Sequence, residues 1–158
     1  MSHKTPTILI AGAALALSTP ALAGQSDETR AAITGLLDTY ETALNAQDTD
    51  TIIRLYAEDG VFMPQHSSAQ VGTAALQAAY LGVFEAITLN VDFAIDEIVS
   101  LSDQWAFART HSLGTVTINA TGESAPEGNN ELFLFHRDAD GAWKIARYIF
   151  STTNPPRS

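Results

Sequence analysis

The hydrophobic period of this chain changes once, from 3.6 residues to two, and that change limits its fold more than any other feature. Ile33, Leu36, Leu37, Tyr40 and Leu44 recur at i, i+3, i+4, i+7 and i+11, which marks one face of a helix over about 27–46. Arg30, Asp38 and Glu41 fall on its other side. Asn45-Ala46-Gln47 breaks the pattern, and Asp48 is placed to cap a second, short helix reaching Tyr56. Glu58-Asp59-Gly60 reads as a turn and Val61-Phe62-Met63 as a short strand stopped by Pro64. After the polar stretch 65–72, Thr73 is expected to cap a third helix with Leu76, Tyr80, Val83, Phe84 and Ile87 on its buried face.

From Asn90 onward the alternation is strict. Val91, Phe93 and Ile95 oppose Asp92, Ala94 and Asp96, and strands are expected over 90–101, 104–119, 130–137 and 142–152. A polar loop is expected over 120–128, and Asp138-Ala139-Asp140-Gly141 is a hairpin turn ending in Asp-Gly. Helices followed by consecutive strands predict an α+β domain, three N-terminal helices packed on one face of an antiparallel sheet.

The N-terminus follows a different logic. Lys4, an apolar run from Ile8 to Leu17, a break at Ser18-Thr19-Pro20 and a small-x-small ending at Ala21-Leu22-Ala23 form the order of a secretory signal peptide over 1–23. The run is too short for a membrane anchor, which needs roughly 20 apolar residues. The reading is therefore a periplasmic or secreted domain over 24–153, cleaved near Ala23, with a non-helical tail over 154–158 and no membrane association afterwards.

Composition removes several function classes. With no cysteine, the chain has no disulfide framework, no Cys-ligated metal and no thiol nucleophile. With 18 acidic against 8 basic residues, it lacks the concentrated cations that nucleic-acid binding requires. His66, His111 and His136 show no tight ligand spacing, so no metal is expected, and no Gly-rich phosphate loop or nucleophile elbow is present. No cofactor is expected.

Two runs, Tyr40-Glu41-Thr42-Ala43-Leu44-Asn45-Ala46-Gln47-Asp48 and Leu55-Tyr56-Ala57-Glu58-Asp59-Gly60-Val61-Phe62, resemble the opening of SnoaL-like and ketosteroid-isomerase-like proteins. Glu131-Leu132-Phe133-Leu134-Phe135 followed by Gly141-Ala142-Trp143-Lys144-Ile145-Ala146-Arg147 is similar to the end of the same fold, and Trp-Lys-Ile is typical of the SgcJ/EcaC-type group. The resemblance implies a nuclear-transport-factor-2-like cone, in which the sheet wraps around helices to enclose an apolar cavity. It also implies that dimers through the sheet are common. The superfamily hosts isomerases, dehydratases, cyclases and non-catalytic domains, so the fold fixes no chemistry.

By this resemblance the cone interior takes Glu131, Phe133, Phe135, Tyr148 and Phe150, joined by Arg109 and His111 from the long strand. Phe62, Met63, Tyr80, Phe84 and Trp105 complete the expected ligand-binding lining. Tyr40 falls at the oxyanion-hole tyrosine of the isomerases and Glu131 at their protonated carboxylic acid. The position of their base falls at Met63-Pro64, where neither side chain takes a proton, so steroid enolisation has no first step. Tyr40, Glu131 and His111 are thus the candidate catalytic residues, His111 because imidazole titrates near neutrality. Each has a plainer reading: Tyr40 as a hydrogen-bonded core residue, Glu131 with Arg109 as a structural ion pair, and His111 as a satisfied wall residue.

The expected function is binding of a small, largely apolar or aromatic molecule in an aromatic-lined cavity, with or without acid/base chemistry. The competing expectation is a non-catalytic homodimeric interaction module whose outer sheet face carries Leu132, Leu134, Trp143, Ile145 and Ile149.

Overall fold

A computed structural model describes residues 20–155, with side chains from Ser26 onward. The apolar run behind the signal-peptide reading lies outside the described residues. Helix α1 (Pro20–Asn45) buries Ile33, Leu36, Leu37, Tyr40 and Leu44, the face marked by the 3.6-residue period. Asp48 caps α2 (Thr49–Leu55), its Oδ1 accepting from the Thr51 amide at 3.0 Å. Strand β1 (Tyr56–Met63) follows directly and pairs with the two-residue β2 (Gln70–Val71). Thr73 is not the cap of α3 (Thr73–Ala86) but its first residue. The cap is Gly72, at φ +80°, whose amide is already committed to the Gly60 carbonyl at 2.9 Å. Among the described residues, no helix is long and apolar enough to cross a membrane.

Strands β3 (Ile87–Ser100), β4 (Trp105–Ile118), β5 (Ser124–Arg137) and β6 (Trp143–Thr152) complete a six-stranded sheet in the order β2-β1-β6-β5-β4-β3. All neighbours are antiparallel except β1 and β6, which run parallel. Strand β5 starts at Ser124, well before the expected 130. Pro126 and Gly128 are poor strand formers, but a continuous ladder from Thr117↔Ser124 to Trp105↔His136 holds them extended. The expected loop shrinks to a turn closed by Gly122 N–H on the Ile118 carbonyl at 2.8 Å.

Two bulges decide which side chains face the helices. Between the pairs Ile95↔Thr110 and Glu97↔Arg109, β3 carries one extra residue, Asp96. Between Phe135↔Ile145 and Leu134↔Arg147, β6 carries Ala146. The second bulge turns Ile145 from the outer face, where simple alternation puts it, into the core, where it is fully buried. Trp143 likewise packs against the core rather than standing free outside.

The inner face of β4 is built from small residues. Ala106, Ala108, Thr110 and Ser112 lie opposite Phe135, Phe133, Glu131 and Asn129 of β5. Aromatic bulk from the neighbouring strand and the helices fills the space these short side chains leave. Phe133 and Tyr148 lie face to face with centroids 4.1 Å apart, and the Tyr40 ring meets both edge-on.

Candidate functional site

The helices do not fill the cone completely. A cavity of about 150 Å³ remains between α1, α3 and the inner sheet face. Its apolar wall includes Phe62, Val83, Leu89, Phe93, Tyr148 and Phe150. Its polar wall is Tyr40, Ser112, Glu127, Asn129 and Glu131, of which the last three share one face of β5.

Glu131 is 4% exposed. Its Oε1 accepts from Ser112 Oγ at 2.6 Å and its Oε2 from Thr110 Oγ1 at 2.5 Å. Burial pushes its carboxyl above the ordinary range, and the two hydroxyl donors offset part of that push. Two residues along, Asn129 Nδ2 donates to Glu127 Oε1 at 3.0 Å and reaches Ser112 Oγ at 3.4 Å. Asn129 Oδ1 is buried and has no hydrogen-bond partner. Across the cavity a chain of phenols runs from Tyr56 through Tyr80 to Tyr40, with O···O distances of 2.8 and 2.7 Å. Burial holds all three hydroxyls well above their ordinary range, so they stay protonated.

The structure divides the expected site residues into three groups. Tyr40, Phe62, Tyr80, Glu131, Tyr148 and Phe150 line the cavity. Phe84, Phe133 and Phe135 are buried in the core that supports it, off the cavity wall. Met63, Trp105, Arg109 and His111 are on the outer face, which corrects their assignment to the interior. Met63 borders an external groove with Leu132, Leu134 and Ile149, while its neighbour Pro64 points to the cavity. The Trp105 ring lies against His136 at 4.5 Å. The Arg109 and His111 side chains are 54% and 42% exposed, and both bind Asp96, at 2.6 and 3.0 Å. Arg109 therefore forms no ion pair with Glu131; its partners are Asp96 and Glu97.

Sequence reasoning missed Thr110, Ser112, Glu127 and Asn129. The β4 pair was legible only from its size pattern, small residues alternating with large ones. Glu127 and Asn129 sat in a stretch whose composition reads as loop. Among the described residues, no cluster of three or more His, Asp or Glu side chains is grouped to hold a metal ion.

The SnoaL-like domain model matches residues 37–148. A ketosteroid isomerase-like protein from Erwinia carotovora atroseptica SCRI1043 is 39% identical, with a TM-score of 0.77 over 79% of this chain and 96% of that one. At 12% identity, the hexachlorocyclohexane dehydrochlorinase LinA-type3 of Novosphingobium barchaimii LL02 shares the fold, with a TM-score of 0.72 over 80% of this chain and 88% of that one. A Caulobacter vibrioides protein with a cystatin-like fold does the same at 16% identity, with a TM-score of 0.68 over 81% and 92% of the two chains. No curated protein matches the chain.

Proposed function

The chain belongs to the SnoaL-like family, and from that premise we propose that it is an exported cone-fold protein that binds a small, largely apolar molecule in its cavity. The observation that carries this is an aromatic enclosure with a few convergent polar groups, the usual make-up of a ligand site. Its volume of about 150 Å³ is on the scale of a single benzene ring, so a compact one-ring molecule is the class we propose. Steroid isomerisation is not proposed, because Met63-Pro64 falls at the isomerase base position and neither side chain takes a proton. The carboxyl groups positioned for any acid/base step are Glu131 and Glu127, which share the cavity-facing side of β5. Placement in the SgcJ/EcaC-type group is part of the proposal and rests on Trp143-Lys144-Ile145.

The test is a thermal-shift screen of chemically diverse one-ring compounds. Stabilisation by at least one of them, weakened by Tyr40→Phe or Glu131→Gln, is the expected outcome. A flat response to the whole set argues against the proposal.

A second reading has its own support. Leu132 and Ile149 are 46% and 44% exposed on the outer face, beside the groove they share with Met63 and Phe107. Such an apolar surface suits a homodimer contact. Light scattering that gives a monomer at micromolar concentration removes that reading.

A further inference from the structure

We infer that the molecule taken up by the cavity is a small organic ammonium, a one-ring or similarly compact apolar body carrying a protonated amine. The inference rests on the ligand-cavity reading above and deepens it. It starts from the hydrogen-bond accounting of the polar wall. The Ser112 and Thr110 hydroxyls both donate to Glu131, and the Asn129 amide donates to Glu127. The donors of the β4–β5 part of the wall are thus committed to the wall itself, and the phenols Tyr40 and Tyr148 stand apart from it on α1 and β6.

What remains is acceptor capacity. Each carboxylate has lone pairs left over, and Asn129 Oδ1 has no partner although the residue is only 9% exposed. Reversing the Asn129 amide would relieve nothing, because it would set Oδ1 3.0 Å from a Glu127 oxygen, acceptor against acceptor. A buried acceptor without a partner is costly, and a ligand N–H would satisfy it.

Charge points the same way. Among the described residues, no Lys, Arg or His lines the cavity, while two carboxylates do. An anionic ligand would meet those carboxylates with no counter-charge. An ammonium would find the two carboxyl groups as counter-charge, with the rings of Phe62, Phe93 and Tyr148 around its apolar body. This assignment departs from an isomerase-type site, where the buried carboxylic acid donates a hydrogen bond to the substrate oxygen. Here both Glu131 oxygens already accept hydrogen bonds from hydroxyls.

The test is calorimetric titration of the full chain near pH 7 with benzylamine, toluene, benzaldehyde and benzoate, which share one ring and differ in the polar group. Benzylamine is expected to bind about tenfold or more tightly than toluene or benzaldehyde, and benzoate not at all. Glu131→Gln is expected to cut benzylamine affinity about tenfold and to leave toluene within about twofold. Should that variant fail to fold, the four ligands on the unaltered chain still decide the matter. Binding of toluene, benzaldehyde or benzoate at least as tight as that of benzylamine overturns the ammonium assignment and leaves the cavity reading standing. Failure of all four to bind overturns both.

Discussion

Ser112 Oγ donates to Glu131 Oε1 at 2.6 Å, one strand across, and so holds the carboxylate against the cavity wall. Thr110 does the same for the other oxygen, and the two residues occupy consecutive inward positions of β4. The carboxylate thus reaches the cavity with its geometry already fixed.

Removing one of those hydroxyls leaves a buried carboxyl short of a donor. Ser112→Ala or Thr110→Val is expected to destabilise the fold by about 1–3 kcal/mol in urea denaturation at neutral pH. Because both act through Glu131, each effect should shrink in a Glu131→Gln background. Additive costs would show that the hydroxyls act independently of the carboxyl.

Glu131 also sets a pH dependence with a definite sign. Its folded-state pKa is raised by burial, so the folded state binds the proton more tightly than the unfolded chain does. The resulting stability is fully present below the unfolded-state value of about 4.3 and is lost as pH rises through the higher folded-state value. Thermal denaturation across that window should show wild type losing ground relative to Glu131→Gln as pH increases. The opposite trend would mean that the hydroxyl donors outweigh burial.

The phenol chain offers a graded comparison. Tyr80 is its middle member, bonded to both Tyr40 and Tyr56. Tyr80→Phe strands two buried hydroxyls and should cost about 1–3 kcal/mol. Tyr56→Phe breaks only one contact and should cost less, as equilibrium unfolding of the two variants would reveal.

The outer cluster should be silent in binding. Arg109→Ala and His111→Ala disturb exposed ion pairs with Asp96 and Glu97, worth at most about 1 kcal/mol. Ligand affinity, measured by the same titrations as for the cavity variants, should not change. A loss in either variant would place β4 in the other register.

That register marks the boundary of what the residues alone disclose. The helical faces, the cap at Asp48, the inward placing of Phe133 and Tyr148 and the burial of Glu131 all follow from periodicity and resemblance. Strand β4 defeats the same logic because its larger side chains, Trp105, Phe107, Arg109 and His111, point outward. A cone already packed with aromatics from β5, β6 and α1 leaves room only for Ala106, Ala108, Thr110 and Ser112. Apolar bulk was thus a misleading guide there, and complementarity of size was the governing quantity. The bulges at Asp96 and Ala146 were equally hidden, since an extra residue shifts the phase of a strand without altering its composition.

The position of β6 between β1 and β5 also decides how the sheet is held together. The strand latest in sequence is an interior one, and without it β1 would have only the two-residue β2 as a neighbour. The parallel ladder joining Phe62 to Tyr148 spans most of the domain, so loop closure over that distance precedes any reward from the contact. Strands β3, β4 and β5 form an antiparallel meander on one side of β6, and the β1–β2 pair lies on its other side. The ten residues of β6 hydrogen-bond to both pieces at once, which makes this strand the latch of the whole sheet.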